Sequence, residues 1–319
     1  MAVKNKSNEI KITRIYHAPI RAVWDAWTDP AQTAQWWGPR GFTLTTHHKD
    51  LRPGGSWIYT MHGPDGTDYR NVTKYFEVEE CARLVYDHGG SEDRPPLFRV
   101  TATFSEHKGK TTLTMTMALP TPEEAEQTKK FIKQAGGNAT WDRLAEYLEK
   151  QSSGKERFVI NRTFPGSPAL LYKMWTDPEH FVQWLPPTGF QMNFLRADIK
   201  TGGSTFYVMK SLDGQMVMHG KTNYIELQPV EKIIYTQEFC DENGKPSRHP
   251  GAPIWPAIML TTVTLTAEGE NETRVTVEWE PQSPVSDAEI QAFTKERAGM
   301  TLGWTGSFDK LEDLLHQKA

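Results

Sequence analysis

The chain runs through period-two and helix-period stretches in a fixed order, and then does so again. In the first pass, "IKITRIYHA" (10–18) alternates as a strand. Residues 20–37 carry the spacing of a helical pair, and "FTLTTHHKDLRPGG" (42–55) and "SWIYTMHG" (56–63) read as two strands joined at Gly-Gly. Further alternating runs follow in "TKYFEVEE", "RLVYDHG", "LFRVTATF" and "TTLTMTMAL". A long helix is predicted from about Pro122 to Lys150. A strand, two short helices, a meander of strands and a closing helix make an α+β unit, not an alternating βαβ one.

The second pass copies the first residue by residue. Trp27, Thr28, Asp29 and Pro30 match Trp175, Thr176, Asp177 and Pro178. Trp36, Gly41, Phe42, Asp50, Gly54, Gly55 and Ser56 match Trp184, Gly189, Phe190, Asp198, Gly202, Gly203 and Ser204 without a gap. Later pairs, Leu113 with Val275 and Leu144 with Leu311, stand further apart, so the second copy carries insertions. This is a duplicated domain, not a short-period solenoid. The polar seam "LEKQSSGKERF" separates a helical pattern from a new strand and reads as a short linker. The expected domains are 1–152 and 153–319, the latter with an inserted loop near 240–256.

Within the repeated block, Asp29 and Asp177 stand where helix N-caps stand, each followed by Pro at N1. Gln32 at N3 is expected to complete a reciprocal capping box in the first copy, whereas His180 cannot in the second. Trp36 and Trp184 end that helix and are expected to anchor it as core, each needing a partner for its indole N–H. Trp37 has no aromatic counterpart, since Leu185 takes its place. It is a candidate for ligand contact.

Length and charge narrow the picture. The chain has 319 residues, enough for two ordinary domains, and 36 Lys plus Arg against 40 Asp plus Glu give a formal net charge of −4. No strongly basic run marks a nucleic-acid partner. Cys81 and Cys240, the two cysteines, form no disulfide framework and no Cys-x-x-Cys spacing. "MAVKNKSNEIKI" has no apolar signal core and no segment is apolar enough for membrane insertion, so a cytoplasmic location is expected. His47 and His48 are adjacent in a strand and point to opposite faces, and the other histidines lack ligand spacing, so neither a metal nor a cofactor is expected. Asp87, His88 and Arg99 read as surface groups near strand ends.

"HAPIRAVWDAWTDPAQTAQWW", the Gly-Gly hairpin and the closing "GWTGSFDKLEDLL" resemble the START-like, or SRPBCC, superfamily. More narrowly, they are similar to the branch related to the C-terminal domain of the activator of heat-shock-protein ATPase. The resemblance covers both copies. It implies two helix-grip domains, each a curved antiparallel sheet wrapped around a C-terminal helix with an apolar cavity between. It also implies a small apolar or amphipathic ligand. The alternatives it leaves are an interaction protein serving chaperones or stress responses, and a cyclase- or hydrolase-like enzyme. The first copy departs from the pattern, with Gly136, Gly137 and Asn138 where the second has Gly303, Trp304 and Thr305.

Given such a cavity, alternating large side chains on the strands become candidate ligand contacts: Trp57, Tyr59 and Met61, then Met115 and Met117, with Trp141 on the first closing helix. In the second copy they are Tyr207, Met209 and Trp279 on strands, Trp255 with His249 in the inserted loop, and Met300, Trp304 and Phe308 on the helix. Gly299, Gly303 and Gly306 share one face of that helix, where the first copy has Ile132, Gly136 and Ala139. A glycine face there reads either as close helix–sheet packing or as cavity volume.

Overall fold

The computed structural model describes residues 7–90, 94–134, 138–153, 157–269, 271–282 and 284–317. The chain divides into two compact units, Met1–Ser152 and Ser153–Ala319. The first runs β1 (Glu9–Tyr16), α1 (Ile20–Thr28), α2 (Pro30–Trp36), β2 (Thr43–Lys49), β3 (Ser56–His62), β4 (Asp68–Glu79), β5 (Arg83–Gly90), β6 (Phe98–His107), β7 (Lys110–Ala118), α3 (Pro122–Gln134) and α4 (Asn138–Ser153). The second repeats this with β8 (Phe158–Pro165), α5 (Pro168–Thr176), α6 (Pro178–Trp184), β9 (Phe190–Ala197), β10 (Ser204–Ser211), β11 (Val217–Gln228), β12 (Lys232–Cys240), β13 (Ile258–Gly269), β14 (Glu272–Pro281), α7 (Asp287–Lys295) and α8 (Arg297–His316).

Each unit is an α+β helix-grip domain around a seven-stranded antiparallel sheet. The orders are β1-β7-β6-β5-β4-β3-β2 and β8-β14-β13-β12-β11-β10-β9, so the first strand of each unit pairs with its last. Alternation does what the sequence implies. Along β7, Thr111, Leu113, Met115 and Met117 are buried while the residues between them are half-buried. The predicted Pro122–Lys150 helix is described as α3 and α4. Positions 135–137 lie outside the described residues, and with them the Gly136 and Gly137 of the sequence comparison; the side chains of Ile132, Asn138 and Ala139 are likewise not described.

The Trp-Thr-Asp-Pro block joins two helices at a single residue. Asp29 ends α1, donating its N–H to the Asp25 carbonyl at 2.8 Å, and starts α2 by accepting from Ala31 N and Gln32 N at 2.7 and 3.1 Å. Asp177 repeats this, donating to Lys173 O at 2.9 Å and accepting from Glu179 N at 3.0 Å. The expected Gln32 box does not form, because the Asp29 N–H it needs is already used by α1. Gln32 Oε1 instead accepts from the Tyr147 hydroxyl at 3.1 Å. A reciprocal box occurs elsewhere, between Ser286 and Glu289 at the start of α7.

Trp36 and Trp184 are fully buried. The Trp36 indole donates to Ala26 O and the Trp184 indole to Met174 O, both at 2.9 Å, so each ties the second short helix back to the first. The repeated Gly-Gly is also a close approach. A Cβ on Gly55 or Gly203 would stand 2.2 Å from the Asp50 or Asp198 carbonyl, and Gly54 and Gly202 adopt φ of 83° and 78°. The loop after α2 is held from the closing helix. Arg143 donates to the carbonyls of Gly38 and Pro39 at 2.8 Å, and the Lys310 ammonium does the same for Pro186.

At the end of β2, the Lys49 ammonium lies 4.2 Å from the centre of the Trp57 ring and 3.3 Å from Trp27 O. Burial pushes its pKa down to about 7, against the opposing attraction of Asp29. A lysine depressed in the folded state costs stability wherever its ammonium must form, so the cost is full below pH 7 and vanishes toward its unfolded pKa of about 10.4. Denaturation of Lys49→Met against wild type at several pH values is expected to show the variant's relative advantage shrinking as pH rises from about 7 to 10. A difference independent of pH contradicts the assignment. Asp29→Ala and Asp177→Ala are each expected to cost about 1 kcal/mol in urea denaturation through loss of a cap.

Candidate ligand cavity beneath the closing helix

Between α8 and the second sheet lies a cavity of about 490 Å³. Its floor is the inward side of successive strands: Tyr207 and Met209 from β10, Gln237 and Phe239 from β12, Met259 from β13 and Trp279 from β14. Its roof is α8, through Gly299, Met300, Gly303, Trp304 and Ser307, and Leu185 and Pro187 close one side. Ser307 Oγ donates to Leu185 O at 2.6 Å and fixes that wall to the helix.

The glycine face of α8 divides between its two readings. A Cβ on Gly303 would meet nothing within 4 Å, and one on Gly299 would meet only Glu296 Oε2 at 3.4 Å, so both leave volume in the cavity. A Cβ on Gly306 would stand 2.6 Å from Thr188 Oγ1. That glycine serves close packing.

The inserted loop of the second unit contributes His249, Gly251, Ala252, Trp255, Pro256 and Ala257 to the cavity wall. Arg248 Nη1 donates to Trp255 O at 2.6 Å and to Glu289 Oε1 on α7 at 2.7 Å. The Trp255 ring packs 5.8 Å from Phe293 of α7, and His249 meets Phe239 edge-on at 4.9 Å. The Lys221 ammonium holds Gly244 O at the loop's other end. His249 Nδ1 accepts from Gly251 N at 3.0 Å, and burial lowers the imidazole's pKa from its ordinary value. Burial likewise pushes the Tyr207 phenol up to about 12, and its ring lies over Gly220, where a Cβ would be 2.3 Å from the hydroxyl.

Of the residues singled out from sequence in this copy, Tyr207, Met209, Trp255, Trp279, Met300 and Trp304 line one cavity. Phe308 does not. It sits behind Trp304 at 5.4 Å, packed edge-on against Phe164 at 5.3 Å in the core. Pro187, Met218, Gln237 and Met259 were not singled out. For Gln237 and Met259 the signal was present, since each continues the inward alternation of its strand with Tyr235 and Val263.

The first unit has a smaller cavity of about 210 Å³, lined by Trp37, Met61, Met115, Met117 and Trp141 among others. Indoles occupy the space beside it. Trp27 stacks on Trp141 at 5.3 Å, Trp37 meets Trp141 at 6.1 Å and Trp57 at 5.1 Å, and Trp57 stacks on Tyr59 at 4.0 Å. Trp57 and Tyr59 belong to that buried cluster and do not line the cavity. His88, read from sequence as a surface group, lines the cavity instead. Its ring stacks on Phe98 at 5.2 Å, and desolvation lowers its pKa to about 4. Asp87 and Arg99 pair at 2.8 Å, with Arg99 half-exposed. Among the described residues no group of three or more His, Cys, Asp and Glu side chains is placed to hold a metal ion, and no helix is long and apolar enough to cross a membrane.

Gly303 and Gly306 of α8 give opposite expectations. Gly303→Ala places a methyl in open space and gains helix propensity of about 1 kcal/mol, so its melting temperature is expected to rise. Gly306→Ala meets Thr188 and is expected to lower it. Equal shifts contradict the division of the face.

The family model described as Activator of Hsp90 ATPase homolog 1-like protein matches residues 17–149 and 165–316. No curated protein matches the chain. Among solved structures, protein Ms6760 from Mycobacterium smegmatis is 28% identical, with 47% of this chain and 98% of that one covered and a TM-score of 0.42. A Staphylococcus epidermidis protein is also 28% identical, covering 47% of this chain and 95% of that one at a TM-score of 0.41. DynU16, a protein in the dynemicin biosynthetic locus, is 20% identical over 97% of this chain and 99% of its own, with a TM-score of 0.33. With the family's model matched once in each helix-grip unit, the chain belongs to the activator of Hsp90 ATPase homolog 1-like family of SRPBCC proteins and carries its domain twice.

Proposed function

We propose that the second domain binds a small hydrophobic or amphipathic molecule in the cavity beneath α8, with no catalytic step assigned to it. The observation that carries this reading is the absence of side chains at Gly299 and Gly303 above a floor of aromatic and methionine side chains. Its volume of about 490 Å³ lies within the ~300–1,000 Å³ of small-molecule pockets. Glycine inside a helix costs about 1 kcal/mol against alanine, and two at which a Cβ would meet no backbone and no apolar side chain call for a reason other than packing. The inserted loop supports the same reading, because it is fastened to α7 by an ion pair and a ring contact and supplies Trp255 and His249 to the wall. The first cavity, at about 210 Å³, falls below the usual range and is the lesser site.

The neutral fluorophore N-phenyl-1-naphthylamine tests this on the full chain. Saturable enhancement with one strong site is expected for wild type. Gly303→Leu fills the open space and is expected to weaken that binding by about tenfold or more while the protein stays folded by circular dichroism. No saturable binding to wild type, or unchanged binding to the variant, overturns the proposal.

A further inference from the structure

Several uncharged donors reach the second cavity. Gln237 Oε1 accepts from Thr261 Oγ1 at 3.0 Å, which commits the amide oxygen and leaves Nε2 without a partner among the described residues. The Tyr207 hydroxyl has no hydrogen-bond partner there either, and burial keeps it protonated. His249 accepts at Nδ1 from Gly251, so its neutral ring carries the proton on Nε2. With the buried, unpartnered indole N–H groups of Trp279 and Trp304, five uncharged donors border a wall that is otherwise largely aromatic and thioether.

Charge points the same way. No Lys or Arg is among the lining residues. Two carboxylates, Glu238 and Glu296, do line it; Glu296, at the junction of α7 and α8, has no ion-pair partner among the described residues, and its Oε2 lies 3.4 Å from where a Gly299 Cβ would be. A carboxylate ligand would leave water, find no cation and approach a second carboxylate, which is costly in a low-dielectric site. A plain hydrocarbon would leave these donors unpaired. A carbonyl oxygen avoids both costs, since it carries no charge and has two lone pairs to offer.

The first cavity lacks this arrangement. There His88 stands at the place of Gln237, beside Phe98. Met117 stands where the second copy has Trp279, each paired to the inward residue of the neighbouring strand, Val100 and Thr261.

We propose that the second cavity selects uncharged hydrophobic molecules bearing a hydrogen-bond-accepting carbonyl oxygen (a ketone, ester or lactone), with Gln237 as the principal donor and Tyr207 and His249 beside it. The proposal rests on the ligand-binding reading above and specifies its ligand class.

Displacement of N-phenyl-1-naphthylamine from the full chain by four molecules of matched size tests it: valerophenone, pentylbenzene, 5-phenylpentanoate and 5-phenylpentylamine, at pH 8. Valerophenone is expected to bind about tenfold more tightly than the hydrocarbon and the carboxylate. Gln237→Leu is expected to weaken valerophenone about five- to tenfold and leave pentylbenzene unchanged. The wild-type ranking stands as a test even if that variant does not fold. Equal affinity for ketone and hydrocarbon, or tightest binding of the carboxylate or the amine, overturns the selectivity while leaving the cavity a binding site. Failure of the fluorophore itself to bind overturns both.

Discussion

A curved seven-stranded sheet has one concave apolar face, and in each unit the closing helix must cover it. That mismatch between a broad sheet and a narrow helix governs the rest of the molecule. What is left between them must be filled by side chains or remain as a cavity. The first unit fills it with indoles: Trp37 and Trp141 meet Trp27, Trp36 and Trp57 in one cluster, and about 210 Å³ remains. The second places Leu185 where Trp37 stands and leaves Gly299 and Gly303 bare, and about 490 Å³ remains.

The repeated Trp-Thr-Asp-Pro block sets the helices of this arrangement, and in the first unit its Trp27 also joins the indole cluster. Asp29 and Asp177 each end one short helix and begin the next. Trp36 and Trp184 then lock the pair through an indole hydrogen bond to a carbonyl ten residues back. The loop that follows is pinned to the closing helix by Arg143 in one unit and Lys310 in the other. Helix pair, loop and closing helix are thereby held together, and a cavity wall at Leu185 and Pro187 is fixed by the same contacts.

Local features were legible in the sequence, and features that depend on distant partners were not. The caps at Asp29 and Asp177 follow from neighbours in the chain, as do the strand alternation and the duplication itself. The Gln32 box fails for a reason one helix upstream, where α1 has already taken the Asp29 N–H. Gly303 and Gly306 look alike in sequence, and only Thr188, more than a hundred residues earlier, separates a cavity glycine from a packing one. Trp57, Tyr59 and Phe308 share residue type and face with residues that line the cavities, but they lie deeper, and depth is not encoded in alternation. His88 was misread because a polar residue at a strand end looks exposed until the neighbouring Phe98 and Trp37 are in place.

On the proposed reading, the space beneath α8 admits a ligand and its counterpart in the first unit does not do so comparably. Methionine methyl resonances report on both at once, because Met209, Met259 and Met300 line the second cavity and Met61, Met115 and Met117 the first. On titration of the full chain, labelled at its methionine methyls, with valerophenone, the second set is expected to shift together and saturate while the first set stays in place. Shifts confined to the first set, or none in the second at saturating ligand, would contradict binding beneath α8.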